Sequence, residues 1–391
     1  MVADARTLAI ETLCDIRLHR SFILPASVVP NVGQDLRITY SDLGYRPGST
    51  RKSSDGDDGD ADPDPCVVFF IGGLLGGRYP LCRSANIARR LKIRIISMDR
   101  PGLGGSTRVP LDQRVAVQVA AVPALLNHLG IRHVTLASHS GGGPYLLATL
   151  LAHRGLLHPK RPHVVLLSPW VHPKEGGARL MQVAALLPLQ AIGKFPSCAR
   201  AISRTFAFSS GLRGEFQSKS ATAVATTTGE IDGRNNSENS FEKALLTEME
   251  ALVMKYMFAE DIQGSADDAI LYLRKHVHTV ITTGNTGTVQ GKDWLDSRTL
   301  ADAVVEQEKS LNHSTIDSEH LHVDALHSEN DILIRPSGSR HFDDCWASAV
   351  SQSKVSFNSK IIKGVSHDSI LDPIHGAIET WLQCVAQRWY S

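Results

Sequence analysis

The chain has no C-x-x-C pair. Its six cysteines, Cys14, Cys66, Cys82, Cys198, Cys345 and Cys384, are scattered over 391 residues, a spacing that excludes both a disulfide framework and a structural zinc site. No apolar run is long enough, or free enough of charge, to span a bilayer. Asp4, Arg6, Glu11, Asp15 and Arg17 interrupt the N-terminal stretch, so the apolar core of a secretory signal is missing. Trp389-Tyr390-Ser391 is not a peroxisomal tripeptide, and a cytoplasmic location is the default expectation. Charge of one sign is lacking too. The 41 Lys and Arg stand against 40 Asp and Glu, and no basic run is interleaved with aromatics, so nucleic acid is not an expected partner. The Asp-rich run at 55–60 lacks the spacing and terminal Glu of a calcium loop. His313, His320, His322 and His327 lie in a polar stretch without a clear frame for metal. No metal and no cofactor are expected.

What is present begins at Val134. A short apolar run ends in Ser138-His139-Ser140-Gly141-Gly142 and continues into the helical-looking Pro144-Tyr145-Leu146-Leu147-Ala148. That is the pattern of a nucleophile elbow, in which a strand stops, the chain turns sharply and a helix starts with one serine at the apex. Residues two before and two after must be small so that strand and helix can pass closely. Ser138 stands where Gly is more usual, but it remains small.

The flanks agree with this reading. Cys66–Ile71 is a continuous apolar run closed by Gly72-Gly73-Leu74-Leu75-Gly76-Gly77. Ile93–Met98 leads into Asp99-Arg100-Pro101-Gly102, a sequence read as a structural turn. Val115, Val119, Val122, Leu126 and Leu129 then recur at helical spacing up to Gly130. Strands alternating with helices in this way imply an α/β protein with a parallel sheet.

In this order the chain resembles the α/β-hydrolase superfamily, over roughly 65–172 and again over about 320–391. It is similar to fungal, lid-bearing members that use a serine nucleophile. The resemblance implies an α/β-hydrolase fold, a mostly parallel central sheet flanked by helices with a helical lid insertion. One core is expected, formed by 1–170 (with a disordered loop at about 47–65) and 321–391. The lid would run over 171–320, with mobile polar segments at about 218–240 and 284–320, the latter carrying one weak helical patch around Leu300–Glu308. Its first segment is Leu180–Leu189, apolar and broken by Pro188. Leu245, Met249, Leu252 and Tyr256 suggest a second lid helix.

The resemblance also implies a catalytic serine, acid and histidine in that chain order. Ser140 is the expected nucleophile. Asp331, just past a strand and before Ile-Leu-Ile-Arg-Pro336, is the expected acid; Glu329 is the fallback, and Asp324 falls inside the strand. His367 follows the last strand, Val355–Lys363, and is the expected base. The oxyanion donors would be the backbone N–H groups of Gly141 and Leu74, with Gly73 second to Leu74. The His-Gly usual in that loop is Gly72-Gly73 here, so a role for that histidine side chain is absent. His139 is expected to tune the pocket or only to pack.

These residues imply a serine hydrolase acting on an ester, thioester or lactone of a hydrophobic small molecule through an acyl-serine. Acyl transfer and carbon–carbon bond hydrolysis use the same triad, and a catalytically silent binding protein can share the fold. Epoxide hydrolases and dehalogenases carry an aspartate at the elbow, which Ser140 replaces. Oligomeric state stays open.

Overall fold

The apolar runs become the middle strands of one sheet. The computed structural model describes residues 4–29, 31–46, 65–200, 233–275, 281–283, 287–289, 294–311, 320–351 and 353–391. The strands are β1 (Arg20–Leu24), β2 (Leu36–Gly44), β3 (Val67–Ile71), β4 (Arg94–Met98), β5 (Thr135–His139), β6 (His163–Leu167), β9 (His322–Asn330) and β10 (Ser356–Ser366), while β7 (Ile281–Thr283) and β8 (Gly287–Val289) pair apart. The eight lie in the order β1-β2-β4-β3-β5-β6-β9-β10. β1 pairs antiparallel with β2 and β2 with β4; from β4 to β10 every pairing is parallel.

β3, β5 and β6 are buried along their whole length, which is why they read as unbroken apolar runs rather than alternating ones. Alternate residues still go to opposite faces. Val67, Phe69 and Ile71 join a core with α1 (Arg114–His128) and α2 (Gly142–Ala152); Val68 and Phe70 join a second core with Ile87 and with Trp381, Leu382 and Val385 of the C-terminal helix Ala377–Tyr390. The edge strand β10 is largely exposed and carries Lys360 and Lys363, charges that discourage pairing with another chain.

The insertion departs from the expectation in several places. The segment 284–320, expected to be mobile, contains the helix Ser297–Leu311. Leu300, Ala301, Val304 and Val305 line one helical face and are buried in the larger core, and Glu308 is buried against Arg154. Its polar residues lie on the other face, so composition alone concealed it. The expected polar loop at 218–240 overlaps the helix Gly233–Ala259 from residue 233; 218–232 lies outside the described residues, as does the expected loop at 47–64. The apolar side of that helix, Met249 and Leu252 with Leu245 and Tyr256, packs on Ala9, Leu13 and Leu18 near the N-terminus, together with Leu43 and Cys82. It therefore caps the side of the core, where a lid helix was expected. A further helix, Gln263–Tyr272, is almost wholly buried. The short helices Arg179–Ala184 and Leu189–Gly193 are more open: Val183 is 60% and Leu186 80% exposed. Among the described residues, no helix is long and apolar enough to cross a membrane.

Candidate active site

β5 ends at His139, Ser140 takes φ +51°, and α2 begins at Gly142. A serine in the left-handed region is strained, and the surroundings hold it there. Its N–H donates to Leu167 O of β6 at 2.9 Å. The small residues have identifiable neighbours. A Cβ on Gly142 would lie 2.1 Å from Ile71 O, so only glycine fits, whereas a Cβ on Gly143 would lie 3.9 Å from Ser138 Oγ, an ordinary contact.

Ser140, Asp331 and His367 come from the ends of three parallel strands, β5, β9 and β10, and meet. His367 Nε2 is 2.8 Å from Ser140 Oγ and Nδ1 is 2.6 Å from Asp331 Oδ2. All three side chains are buried. Asp331 Oδ1 accepts from the backbone N–H groups of Leu333 and Ile334 at 2.9 and 2.8 Å. Burial raises the Asp331 carboxyl, but His367 and these two donors outweigh it and hold it below the usual carboxylate range. An ionised Asp331 can only accept, so Nδ1 carries the proton and Nε2 is left to accept from the serine hydroxyl. The other two acids are elsewhere. Glu329 accepts from Gly364 N–H, and Asp324 pairs with His163 at 2.8 Å.

His139 has a partner that the sequence did not disclose. Its Nε2 donates to the carbonyl of His367 at 2.8 Å, and the two rings lie 4.9 Å apart. The bond ties β5 to the loop that carries His367. Burial, reinforced by the nearby His367, lowers the His139 pKa to about 4, so the ring is neutral near pH 7.

The peptide planes aim two N–H groups. In a trans peptide the C=O and N–H point in opposite directions. Ser140 O, in the same peptide as Gly141 N–H, accepts from Gly143 N–H at 3.0 Å and Trp170 N–H at 3.2 Å. Gly73 O, in the same peptide as Leu74 N–H, accepts from Arg100 Nη2 at 2.5 Å. Both N–H groups are thereby turned away from their carbonyl partners. Gly73 borders Ser140, since a Cβ there would lie 3.2 Å from Ser140 Cβ. The Asp99-Arg100 turn thus reaches the site through Arg100, a link made by residues far apart in the chain. Around Leu74 the packing is apolar: Ile192, Ala269 and Leu273, with Ala185 and Ile270.

Among the described residues, His139, His367 and Asp368 are the one group with metal-ligand reach. Both ring nitrogens of His367 and Nε2 of His139 already have hydrogen-bond partners, so the set is poorly arranged to hold an ion.

A model of the alpha/beta hydrolase family matches residues 68–325. No curated protein matches the chain. Similar solved structures include a putative lipase from Acinetobacter baumannii AYE, 14% identical with a TM-score of 0.50, covering 99% of this chain and 98% of that one. A bacterial membrane phospholipase A is 12% identical with a TM-score of 0.52, over 97% and 92%. A thermophilic esterase from Thermogutta terrifontis is 14% identical with a TM-score of 0.46, over 94% and 99%. At such identities the likeness concerns the fold alone.

Proposed function

The chain belongs to the alpha/beta hydrolase family and is a hydrolase; from that premise we propose that it cleaves an ester, thioester or lactone of a hydrophobic small molecule through an acyl-serine intermediate. The observation that carries the reading is the relay from Ser140 Oγ through His367 to Asp331, at 2.8 and 2.6 Å, on a serine held at φ +51°. A serine hydroxyl is a weak nucleophile at neutral pH. His367 Nε2 takes its proton as Oγ attacks the carbonyl carbon, and Asp331 stabilises the imidazolium that forms. The oxyanion sits against the N–H groups of Gly141 and Leu74, each such donor being worth about 10²–10³ in rate. His367 returns the proton to the leaving group, which departs and leaves the acyl group on Ser140. Water, deprotonated by the same imidazole, then releases the acid and restores the serine. The apolar packing around Leu74 supports a hydrophobic substrate.

The test is Ser140→Ala, assayed on p-nitrophenyl esters of graded chain length. Turnover should fall by about 10⁴-fold or more, with the melting temperature unchanged. Retention of more than a few per cent of turnover in the folded variant removes Ser140 as nucleophile.

A further inference from the structure

One stripe of the insertion helix Gln263–Tyr272 faces the elbow and the glycine loop. Gly264, Asp268 and Tyr272 recur every four residues and so share a helical face. Gly264 brings the backbone close. Its N–H donates to Gly102 O at 2.7 Å, and a Cβ there would lie 2.4 Å from Pro101 O. Asp268 is fully buried. Its Oδ2 accepts from Arg100 Nε at 2.8 Å, and its Oδ1 accepts from Arg114 Nη2 and the Tyr145 hydroxyl, both at 2.7 Å. Tyr272 donates its hydroxyl to Gly141 O at 2.6 Å.

Arg100 connects this stripe to the reaction. A guanidinium is planar, so holding Nε sets where both terminal nitrogens point. With Nε on Asp268, Nη1 donates to Gly72 O at 2.6 Å and Nη2 to Gly73 O at 2.5 Å. The second bond, together with Gly76 N–H on the same oxygen at 2.9 Å, orients the peptide whose other end is Leu74 N–H. Without the carboxylate, the buried Arg100 would lose its anion while Arg114 kept only Asp267 at 3.5 Å, and Arg100 would be free to leave the two carbonyls.

We propose that the helix Gln263–Tyr272 braces the oxyanion hole, with Asp268, acting through Arg100, as the positioning residue for Leu74 N–H, and Tyr272 holding the chain at Gly141. The proposal rests on the hydrolytic reading for its catalytic consequence and on geometry alone for the brace. Asp268 touches no substrate. It acts at a distance of one side chain, so its loss lowers transition-state stabilisation more than ground-state binding.

The experiment uses the full chain with Asp268→Asn. We expect kcat to fall about tenfold or more, short of the roughly 10²–10³-fold loss of a whole donor, with KM within about twofold. Affinity for an alkylboronic acid, whose bound adduct places an oxygen in the hole, should weaken in parallel. Hydrogen exchange over 72–77 should accelerate relative to β5. Glu308→Gln, which breaks the buried pair with Arg154, controls for a general loss of stability and should leave kcat and the 72–77 exchange unchanged. If Asp268→Asn does not fold, Arg100→Lys replaces it. Lysine keeps the charge beside Asp268 but cannot serve both carbonyls, and the same three signatures are expected. Unchanged kcat and boronate affinity in a folded variant of an active enzyme would overturn the proposal, as would unchanged exchange over 72–77. A wild-type chain that hydrolyses no ester, yet shows the exchange change, would remove the hydrolytic reading and leave the brace.

Discussion

Over 179–193, two short helices and the turn between them, Val183, Leu186 and Leu189 are 60, 80 and 47% exposed. In the helix Gln263–Tyr272, Ser265, Ala266, Asp268, Leu271 and Tyr272 are all 3% exposed or less. The more apolar part of the insertion lies open, and the part with two adjacent aspartates lies inside. Hydropathy alone ranks them the other way. The difference is electrostatic and geometric: Arg100 and Arg114 meet Asp268, and Arg108 meets Asp267 at 2.8 Å. Burial lifts the Asp268 carboxyl, but the two arginines outweigh it, and its pKa ends below the ordinary value. An insertion is thus not one structural unit. Its second half is buried against the turn that carries Arg100, and its first half is more exposed.

The largest effect separates direct from indirect buried carboxylates. Asp331→Asn should lower kcat by about 10³–10⁴, because an amide can favour the wrong imidazole tautomer, an effect well above that expected for Asp268→Asn. Glu329→Gln should be mild, since that side chain reaches Gly364 N–H and not His367. The reverse ranking, measured by steady-state kinetics, would dismantle the assignment of the acid.

Stability should divide the two halves of the insertion next. Leu271→Ala, with its side chain in the larger core, should cost about 2–5 kcal/mol in chemical denaturation. Leu186→Ala should stay within about 0.5 kcal/mol. Equal costs would mean that the open helices are as much framework as Gln263–Tyr272.

The smallest expected effect is a pH slope at the junction of elbow and histidine loop. The unfolded chain takes up a proton on His139 near its ordinary value of 6.5, while the folded ring refuses it down to about 4. Between those values the unfolded state binds more protons, so stability falls as pH falls through that window. His172, lowered to about 4 by burial and then by Arg274 and Lys174, works in the same direction. Asp331, held below the ordinary 3.8, contributes stability throughout this window and loses it only as pH falls below about 3.8 toward its folded pKa. Melting curves from pH 7 to 4 should show the decline, and His139→Gln should flatten it. A slope unaffected by that substitution would place the titration elsewhere.

What could be read from the sequence was local. Parallel strands buried on both faces leave continuous apolar runs, and an elbow leaves small residues around a serine; both signals lie within a few positions. Ser140, Asp331 and His367 each follow a strand, so their place along the chain indicated them. The brace had no such trace, because Asp268 and Arg100 are 168 positions apart and neither carries a local pattern. One clue existed: two aspartates inside the otherwise apolar Ala266–Tyr272 must either face water or find cations. The helix Ser297–Leu311 was half visible, as a weak patch at Leu300–Glu308, because its polar face diluted the signal. His139 was adjacent to the nucleophile in sequence, but its bond to the His367 carbonyl depends on how β5 and the last loop come together.

The account turns on Ser140 as the group that carries the acyl intermediate. Intact mass and peptide mapping after a fluorophosphonate probe test that most directly. One adduct per chain on Ser140 is predicted, slowed in Asp331→Asn and absent in Ser140→Ala. A chain that hydrolyses esters while Ser140 stays unlabelled, or that takes the adduct on another residue, would contradict it.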